Sequence, residues 1–309
     1  MENNLIGVSG KIGCGKDIIG SIIQYLAGAK HNHNLELEDL DQRIAKAITE
    51  GRTNKSNIFE IKKFADKLKD TVCLLIGCTR EELEDRDFKE TPLGEEWWYY
   101  QIADNIILPR GYYPNQSDND MCEERYLVKP TPRLFLQLIG TEAGRKIIHP
   151  NVWINATFAD YKKVHGKREV SREACYDDQD GSYINDNITY ENTLEYPNWV
   201  ITDVRFPNEV QAIKDRGGIV IKIDRPMSER FPELWDKFVD GGRNPLILEE
   251  IFIDWLKDED EDMYKKLTHA SEISLNGYED FDYVITNDGS ILDLVLYMKK
   301  ILYGVEVEA

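Results

Sequence analysis

The residues from Leu5 to Ser9 form a short, nearly unbroken apolar run that stops at Gly10. A run of that length bounded by a turn signal predicts a buried strand. From Gly15 the spacing changes. Ile18, Ile19, Ile22, Ile23 and Leu26 recur at helical intervals and share one face. Strand, glycine-rich turn, helix is the opening of an α/β domain. Phe59 to Gly77 predicts a second helix, with Ile61, Phe64, Leu68, Val72 and Leu75 on one side, and Arg80 to Asp85 a short charged one. Glu90 to Lys129 is aromatic and irregular, with Trp97, Trp98, Tyr99 and Tyr100 in a row. Thr131-Pro132 is a helix start, with Thr as N-cap and Pro in the first turn. The helix it opens carries Leu134, Phe135, Leu138 and Ile139 on its apolar face.

Lys162 to Pro197 is rich in Asp, Asn, Tyr and Ser and reads as an insertion or loop. Strands are predicted at Asn198–Val204, Gly218–Asp224 and Tyr283–Thr286, with a helix at Asn208–Arg216 between the first two. Ser228 to Asp262 is amphipathic, then acidic. Asp288-Gly289-Ser290 opens a last helix carrying Ile291, Leu294, Val295, Met298 and Leu302. Strands alternating with helices imply a doubly wound, mainly parallel sheet covered on both faces. No internal repeat is visible.

Composition narrows the choice of partner. The chain has 309 residues, 41% of them hydrophobic, enough for one large core, or for one core carrying insertions. A formal charge of -19 opposes non-specific binding to nucleic acid, so no stable nucleic-acid complex is expected. A small anion is not excluded, because a nest of amides and a few cations outweigh the global field locally. The five cysteines form no Cys-x-x-Cys pair and read as free thiols in a reducing compartment. No stretch is apolar for long enough to span a bilayer, so no membrane association and a cytoplasmic location are expected.

The strongest chemical signal is Gly10-Lys11-Ile12-Gly13-Cys14-Gly15-Lys16-Asp17. Gly10, Gly15 and Lys16 have P-loop spacing. Glycines let successive N–H groups converge on phosphate oxygens, and the following helix, from Asp17 and Ile18 on, points its positive end at the same anion. Lys16 adds a mobile charge for the β- and γ-phosphates of a nucleotide. Asp17 stands where Ser or Thr usually ligates Mg²⁺; a carboxylate can also hold that ion, directly or through water. The alternative is a chance glycine-rich turn. The base-reading segment of GTP switches is absent; the nearest string, Asn54-Lys55-Ser56-Asn57, lacks its Asp.

A kinase of small molecules also needs an acceptor site, and three segments offer one: Phe64–Asp70, Arg86–Thr91 and Arg133–Arg145. On a helix Arg133, Gln137 and Thr141 stack on one face, away from Leu134, Leu138 and Ile139. Gly140 and Gly144 each cost about 1 kcal/mol there relative to Ala, which suggests a close approach to the backbone. The competing reading is a solvated polar face. Lys69 and Lys89 taken singly are ordinary surface lysines, and Trp153 is by default a core residue. Ligands of doubly wound sheets sit beyond the carboxyl ends of strands, where Asp203 and Arg205 emerge. Asp203 could hold Mg²⁺ through water and Arg205 could neutralise a transferring phosphoryl group; a structural Asp–Arg pair is the alternative.

These residues together resemble the phage deoxynucleoside monophosphate kinases, a branch of the P-loop kinases. The matching segments are Gly7–Gly10 through Lys16-Asp17; Ala65 with Lys69-Asp70; Arg133-Leu134 with Gln137, Gly140, Thr141 and Glu142; Trp153; Ile219-Val220 through Arg225-Pro226; and Val284 to Ser290. The resemblance implies dNMP + ATP giving dNDP + ADP with Mg²⁺, on a five-stranded parallel sheet with a separate acceptor-binding lobe. It implies that Lys69, Lys89 and Arg133 hold the acceptor phosphate and that Gln137, Gly140, Thr141 and Trp153 lie near its base and sugar. It also places Gly10, Gly13, Cys14, Gly15, Lys16, Asp17 and Ile18 around the ATP phosphates and Asn287 near the adenine. Lys89 stands where some relatives carry Arg. His269 and Glu272 match a family segment to which no role is assigned.

On this resemblance the chain is a single kinase domain with additions at about 94–124, 162–196 and 228–263. It would act in the cytoplasm of an infected cell if phage-encoded, with the dNMP as partner and a homodimer admitted. Another small-molecule kinase, such as one acting on dephospho-coenzyme A, shares the P-loop and the Asn-x-Gly ending. A nucleotide-binding regulatory module without turnover is the rival from another class, and a capsid or assembly protein is a remoter one.

Overall fold

The computed structural model describes residues 4–29, 37–52, 58–102, 106–109, 125–176, 183–241 and 249–304. The chain opens with β1 (Leu5–Ser9), α1 (Lys16–Ala29), α2 (Leu37–Thr49) and β2 (Glu60–Lys62). Next come α3 (Ala65–Ile76), α4 (Arg80–Glu84), α5 (Arg86–Glu90), β3 (Tyr99–Ile102), β4 (Ile106–Pro109), β5 (Arg125–Val128), α6 (Pro132–Gln137) and α7 (Val152–Phe158). A hairpin of β6 (Val164–Tyr176) and β7 (Tyr183–Glu195) leads to β8 (Trp199–Val204), α8 (Pro207–Lys214) and β9 (Ile219–Asp224). Four short helices, α9 (Met227–Arg230), α10 (Pro232–Asp240), α11 (Glu249–Glu259) and α12 (Glu261–Leu267), precede α13 (Ala270–Ile273), β10 (Tyr283–Thr286) and α14 (Ile291–Tyr303). Two compact units result: Met1–Lys63 with Phe158–Ala309, and Phe64–Thr157.

The first unit is built on a five-stranded sheet of order β10-β9-β1-β8-β2, parallel throughout. β1 is central, and all five of its residues are buried. Successive side chains on a strand point to opposite faces. Ile6 and Val8 meet Ile19, Ile22 and Ile23 of α1, Ile44 of α2 and Leu294, Val295 and Met298 of α14 in one apolar cluster. Gly7, between them, has no side chain, and Ile213 of α8 takes the space: a Cβ on Gly7 would lie 2.6 Å from Ile213 Cδ1. Helices therefore pack on both sides of the sheet, and this mixed α/β arrangement fits a P-loop-like fold. α14 starts as its sequence predicts. The Ser290 hydroxyl accepts from Asp293 N and the Asp293 carboxylate accepts from Ser290 N, a reciprocal cap that satisfies two otherwise orphaned donors.

Several expectations change. Phe59 to Gly77 is not one helix: Glu60–Lys62 pairs with β8 as an edge strand, and the helix starts at Ala65. Ile61 and Phe64 fit a helical interval by coincidence, since a three-residue strand is too short to show a period of two. Lys162 to Pro197 is largely a β-hairpin with two 13-residue strands rather than a loop. Val164, Tyr190 and Leu194 on it are more than half exposed, so the strands bury little apolar surface at these positions. Ser228 to Asp262 breaks into several helices around a core of their own, Met227, Phe238, Phe252, Leu256 and Leu267. The Asn54–Asn57 string and Cys122 lie outside the described residues. Cys14, Cys73 and Cys78 are free thiols. Among the described residues no helix is long and apolar enough to cross a membrane.

The second unit carries an antiparallel sheet of order β4-β3-β5 within the stretch that read as irregular. Trp97 sets its ring edge-on to Phe135 of α6 at 5.0 Å between centroids. Thr131 caps α6 by accepting from Leu134 N. From Leu138 to Ile148 the chain winds as a π-helix, not as the α-helix expected. Its wider i to i+5 turn rotates Thr141 off the α-helical face of Arg133 and Gln137. Both of those are exposed, whereas Thr141 is half-buried. The two glycines of this stretch admit close neighbours: a Cβ would lie 2.8 Å from Leu68 at Gly140, and 2.4 Å from the Ile139 carbonyl and 3.0 Å from the Trp153 ring at Gly144.

Gly7→Ala should destabilise the chain by about 1–3 kcal/mol through overpacking between β1 and α8. Adding Ile213→Val, which removes the clashing Cδ1, should recover part of the loss. Urea denaturation of the single and double variants checks both.

Candidate active site

The turn between β1 and α1 needs conformations that side chains resist. Gly10 has φ 150° and Gly15 has φ 101°. A Cβ on Gly10 would lie 2.5 Å from both Cys14 Sγ and the Ile223 carbonyl, and one on Gly15 would lie 2.9 Å from Asn287 Nδ2. The loop closes on the ammonium that follows it. Lys16 Nζ donates to the carbonyls of Gly10 at 2.6 Å and Lys11 at 2.8 Å, and lies 3.7 Å from Cys14 Sγ. Burial lowers the Lys16 pKa from its ordinary value, and Arg205 adds to the effect against Cys14, Glu272 and Asp17. Burial likewise pushes the Cys14 thiol up.

Three further elements hold this loop. Asn287, just past β10, is buried; its Nδ2 donates to the Cys14 carbonyl at 2.8 Å and its N–H to the Asp224 carbonyl at 2.7 Å. Glu272 of α13 accepts from Ile12 N at 2.6 Å. Arg230 of α9 donates from Nε to the Ile12 carbonyl at 2.8 Å, with its side chain only 2% exposed. Glu249 then binds Arg230 Nη1 at 3.1 Å and Lys11 Nζ at 3.0 Å.

Arg205 and Asp203 come from the end of β8, as expected. Buried Glu209 accepts from Arg205 N at 2.7 Å and Phe206 N at 3.1 Å, which fixes the backbone there. Arg205 Nη1 donates to Glu272 Oε1 at 2.8 Å and to Ser271 Oγ at 3.0 Å. Asp203 is half-buried, one residue from Thr202. Asp17 accepts from Thr202 Oγ1 at 3.1 Å and meets Lys63 Nζ at 2.9 Å. Desolvation raises the Asp17 pKa, but the Lys63 bond and charge, the Thr202 hydroxyl and Lys16 outweigh it and hold the carboxyl below its usual value. Among the described residues no three His, Cys, Asp or Glu side chains cluster as a metal cage. The Asp17 carboxylate and Thr202 hydroxyl are hard oxygen donors, a set that suits Mg²⁺ carrying mostly water and phosphate oxygens.

Beside the loop, at the carboxyl ends of the strands, lies a cavity of about 620 Å³. Lys11, Arg205, Lys222, Arg225 and Arg230 line it with four carboxylates, Asp224, Glu249, Glu250 and Glu272, and Ile253, Leu275 and Phe281 give it an apolar part. Five cations gathered at one sheet edge of an acidic protein make it a candidate site for a polyanion with an apolar base, in spite of the carboxylates among them.

In the second unit, Lys69 of α3 and Lys89 of α5 converge on one carboxylate, Glu84 of α4. Lys69 Nζ lies 2.5 Å from Glu84 Oε1 and Lys89 Nζ 3.4 Å from Oε2. Desolvation raises the Glu84 pKa, and the two lysines together lower it by more. Arg133 is paired with Glu90. Trp153 is buried and donates from Nε1 to the Gly140 carbonyl at 2.8 Å, so both pack inside the unit.

Sequence reasoning missed Arg230 and Glu249, which sit in a stretch read as an addition, and no spacing in the sequence links them to the loop. It also gave no sign that the Asn287 amide binds the loop backbone. Glu209 was within the strand-end motif, but nothing marked it as the residue that anchors Arg205.

No family model matches the chain. Over 232 residues it is 25% identical to a deoxynucleoside-5'-monophosphate kinase of Escherichia phage T5, covering 60% of this chain and 79% of that one. This similarity marks a distant relationship to a nucleotide kinase and supports a kinase-type activity in general terms.

Asn287→Ala should leave the buried Cys14 carbonyl without its donor and cost about 1–3 kcal/mol. Thermal unfolding measures this, and Asn287→Asp, which keeps the shape but replaces the donating amide, should not rescue it.

Proposed function

We propose that the chain transfers the γ-phosphoryl group of ATP to a deoxynucleoside monophosphate, giving dNDP and ADP. The observation that carries this reading is the closed glycine loop at the sheet edge, with the Lys16 ammonium folded back over it beside a cavity that gathers five Lys and Arg side chains. The distant similarity to a phage kinase supports it. On this reading the loop is a phosphate loop, and its amides with Lys16 hold the ATP phosphates. The 64–157 unit is the acceptor lobe of a single kinase domain. Lys69, Lys89 and Arg133 hold the acceptor phosphate, which takes over from Glu84 and Glu90 as their counter-ion. Gln137 and Thr141 lie near base and sugar, with Gly140 and Trp153 shaping the wall behind them.

The chemistry is in-line attack by an acceptor phosphate oxygen on the γ-phosphorus. The acceptor is already ionised, so no strong general base is needed; positioning and charge neutralisation dominate. Arg205 neutralises charge on the group in flight. Asp17 at the start of α1, with Asp203 at the end of β8, would hold Mg²⁺ directly or through water, and the ion would neutralise phosphate charge there.

Release of ADP from ATP with each common dNMP, one at a time, tests the reaction. Acceptor-dependent release is expected, and Lys16→Ala should abolish nearly all of it. Lys69→Ala and Arg133→Ala should raise KM for the dNMP far more than for ATP, each removing a charge-assisted contact of about 1.5–3 kcal/mol. Turnover with dephospho-coenzyme A and none with any dNMP would overturn the substrate assignment.

Asp17 gives a separate test of the metal position. Beside a triphosphate its charge repels, by an amount that the Lys63 partner and solvent exposure reduce. Asp17→Asn should therefore bind metal-free ATP more tightly than the parent and turn over more slowly with Mg²⁺. Calorimetric titration with and without Mg²⁺ checks it, and an equal metal dependence in both proteins would leave Asp17 a partner of Lys63 and Thr202 only.

A further inference from the structure

We infer that Glu272 is a positioning residue for phosphoryl transfer: one buried carboxylate that fixes the tip of the glycine loop and aims Arg205 at the cavity. The inference rests on the proposed reaction, with Arg205 as the cation that meets the transferred group. Its geometric part stands without that reaction.

The two oxygens of Glu272 are divided between two tasks. Oε2 accepts from Ile12 N at 2.6 Å, and Oε1 accepts from Arg205 Nη1 at 2.8 Å. Ile12 is on the loop after β1, and Arg205 follows β8, the strand paired with β1. Glu272 thus spans two neighbouring strand ends from a third element, α13. Its side chain is only 5% exposed, against 36% for Arg205. A carboxylate so far out of water is stable only with its charge and lone pairs satisfied, and removing either partner is costly. It therefore holds Arg205 firmly. The guanidinium has five N–H donors in a fixed fork, and Glu272 and Ser271 both accept from Nη1, which sets the fork's orientation.

The neighbours of Glu272 support the same role. Ser271 Oγ lies 2.9 Å from His269 Nδ1, and His269 caps α13 by accepting from Ser271 N at 3.2 Å. Ser271 and Glu272 of α13, with His269 at its cap, are thus committed to orienting one another and Arg205. Arg205, Ser271 and Glu272 all line the cavity. A carboxylate serving only stability could lie anywhere along the buried interface of this unit; this one binds the loop and the strand-end cation at the cavity wall.

The test uses the full chain and two readouts. Glu272→Gln keeps the shape, but one end of its amide can only donate, so it cannot accept from both Ile12 N and Arg205. In the absence of any nucleotide, amide hydrogen exchange of the segment containing Ile12 should rise at least tenfold in Glu272→Leu, which has no acceptor for Ile12 N. Unchanged exchange in that variant overturns the loop-holding role whatever the reaction proves to be. In the dNMP assay Glu272→Gln should lose 10- to 100-fold in kcat with KM for ATP changed less than threefold. On an Arg205→Ala background, Glu272→Gln should cost at most about threefold more in kcat, what the loop contact alone contributes, because the rest of its effect passes through that arginine. A full additional loss on that background overturns the positioning role. If Glu272→Gln melts below the assay temperature, Glu272→Asp replaces it: a carboxylate one methylene shorter should show the same split of kcat from KM, more weakly. A wild-type chain with no acceptor-dependent ADP release would remove the reaction but leave the exchange result to decide the loop contact.

Discussion

A loop with glycines at positive φ does not hold itself together. Glycine loses more backbone freedom on folding than any other residue, and the Gly10–Gly15 turn has no regular hydrogen-bond ladder to offset that cost. Its shape depends on polar groups delivered from outside. Lys16 ties its first two carbonyls, Asn287 the Cys14 carbonyl, Glu272 the Ile12 amide and Arg230 the Ile12 carbonyl. These groups come from α1, the end of β10, α13 and α9. The parallel order of the sheet brings them together, because the carboxyl ends of β1, β8, β9 and β10 all open on the same edge.

The electrostatics follow one pattern in both units. Cations suited to phosphate are already paired with carboxylates: Arg205 with Glu272, Lys11 and Arg230 with Glu249, Lys69 and Lys89 with Glu84, Arg133 with Glu90. A chain with a formal charge of -19 can keep local basic sites because each is assembled with its own counter-ion. The half-exposed pairs, such as Lys69–Glu84, are weak in water and can exchange for a phosphate at low cost. The buried Glu272 cannot be given up so readily.

The parts legible in the sequence were those with a long local signal. Leu5–Ser9, the α1 face and the Ser290 start of α14 each combine an apolar period with a start or stop residue, and each lies where its pattern put it. The edge strand Glu60–Lys62 was hidden because three residues carry no period. The hairpin of β6 and β7 was hidden because its polar composition imitates a loop. The π-helix has no signature in apolar spacing, so the face argued for Arg133, Gln137 and Thr141 assumed the wrong turn. In the candidate site, Lys16 and Arg205 were visible because motif and strand end sit beside each other in the chain. Arg230, Glu249 and the loop contact of Asn287 were not, since their partners are more than 200 residues away or in a different element.

The helices α9 to α12 look, by sequence, like an appendage that a more compact enzyme could do without. Their own small core around Phe238 and Phe252 strengthens that impression. Yet Arg230 at one end is almost wholly enclosed while bonded to the loop, and Glu249 holds the cation next to it. The stretch is therefore not modular. A shortened chain would expose a loop carbonyl and release Lys11, so any minimal version must first replace the arginine. Growth of a fold by insertion leads here to dependence: once a guest segment supplies a bond to the host's most constrained loop, neither can be redesigned alone.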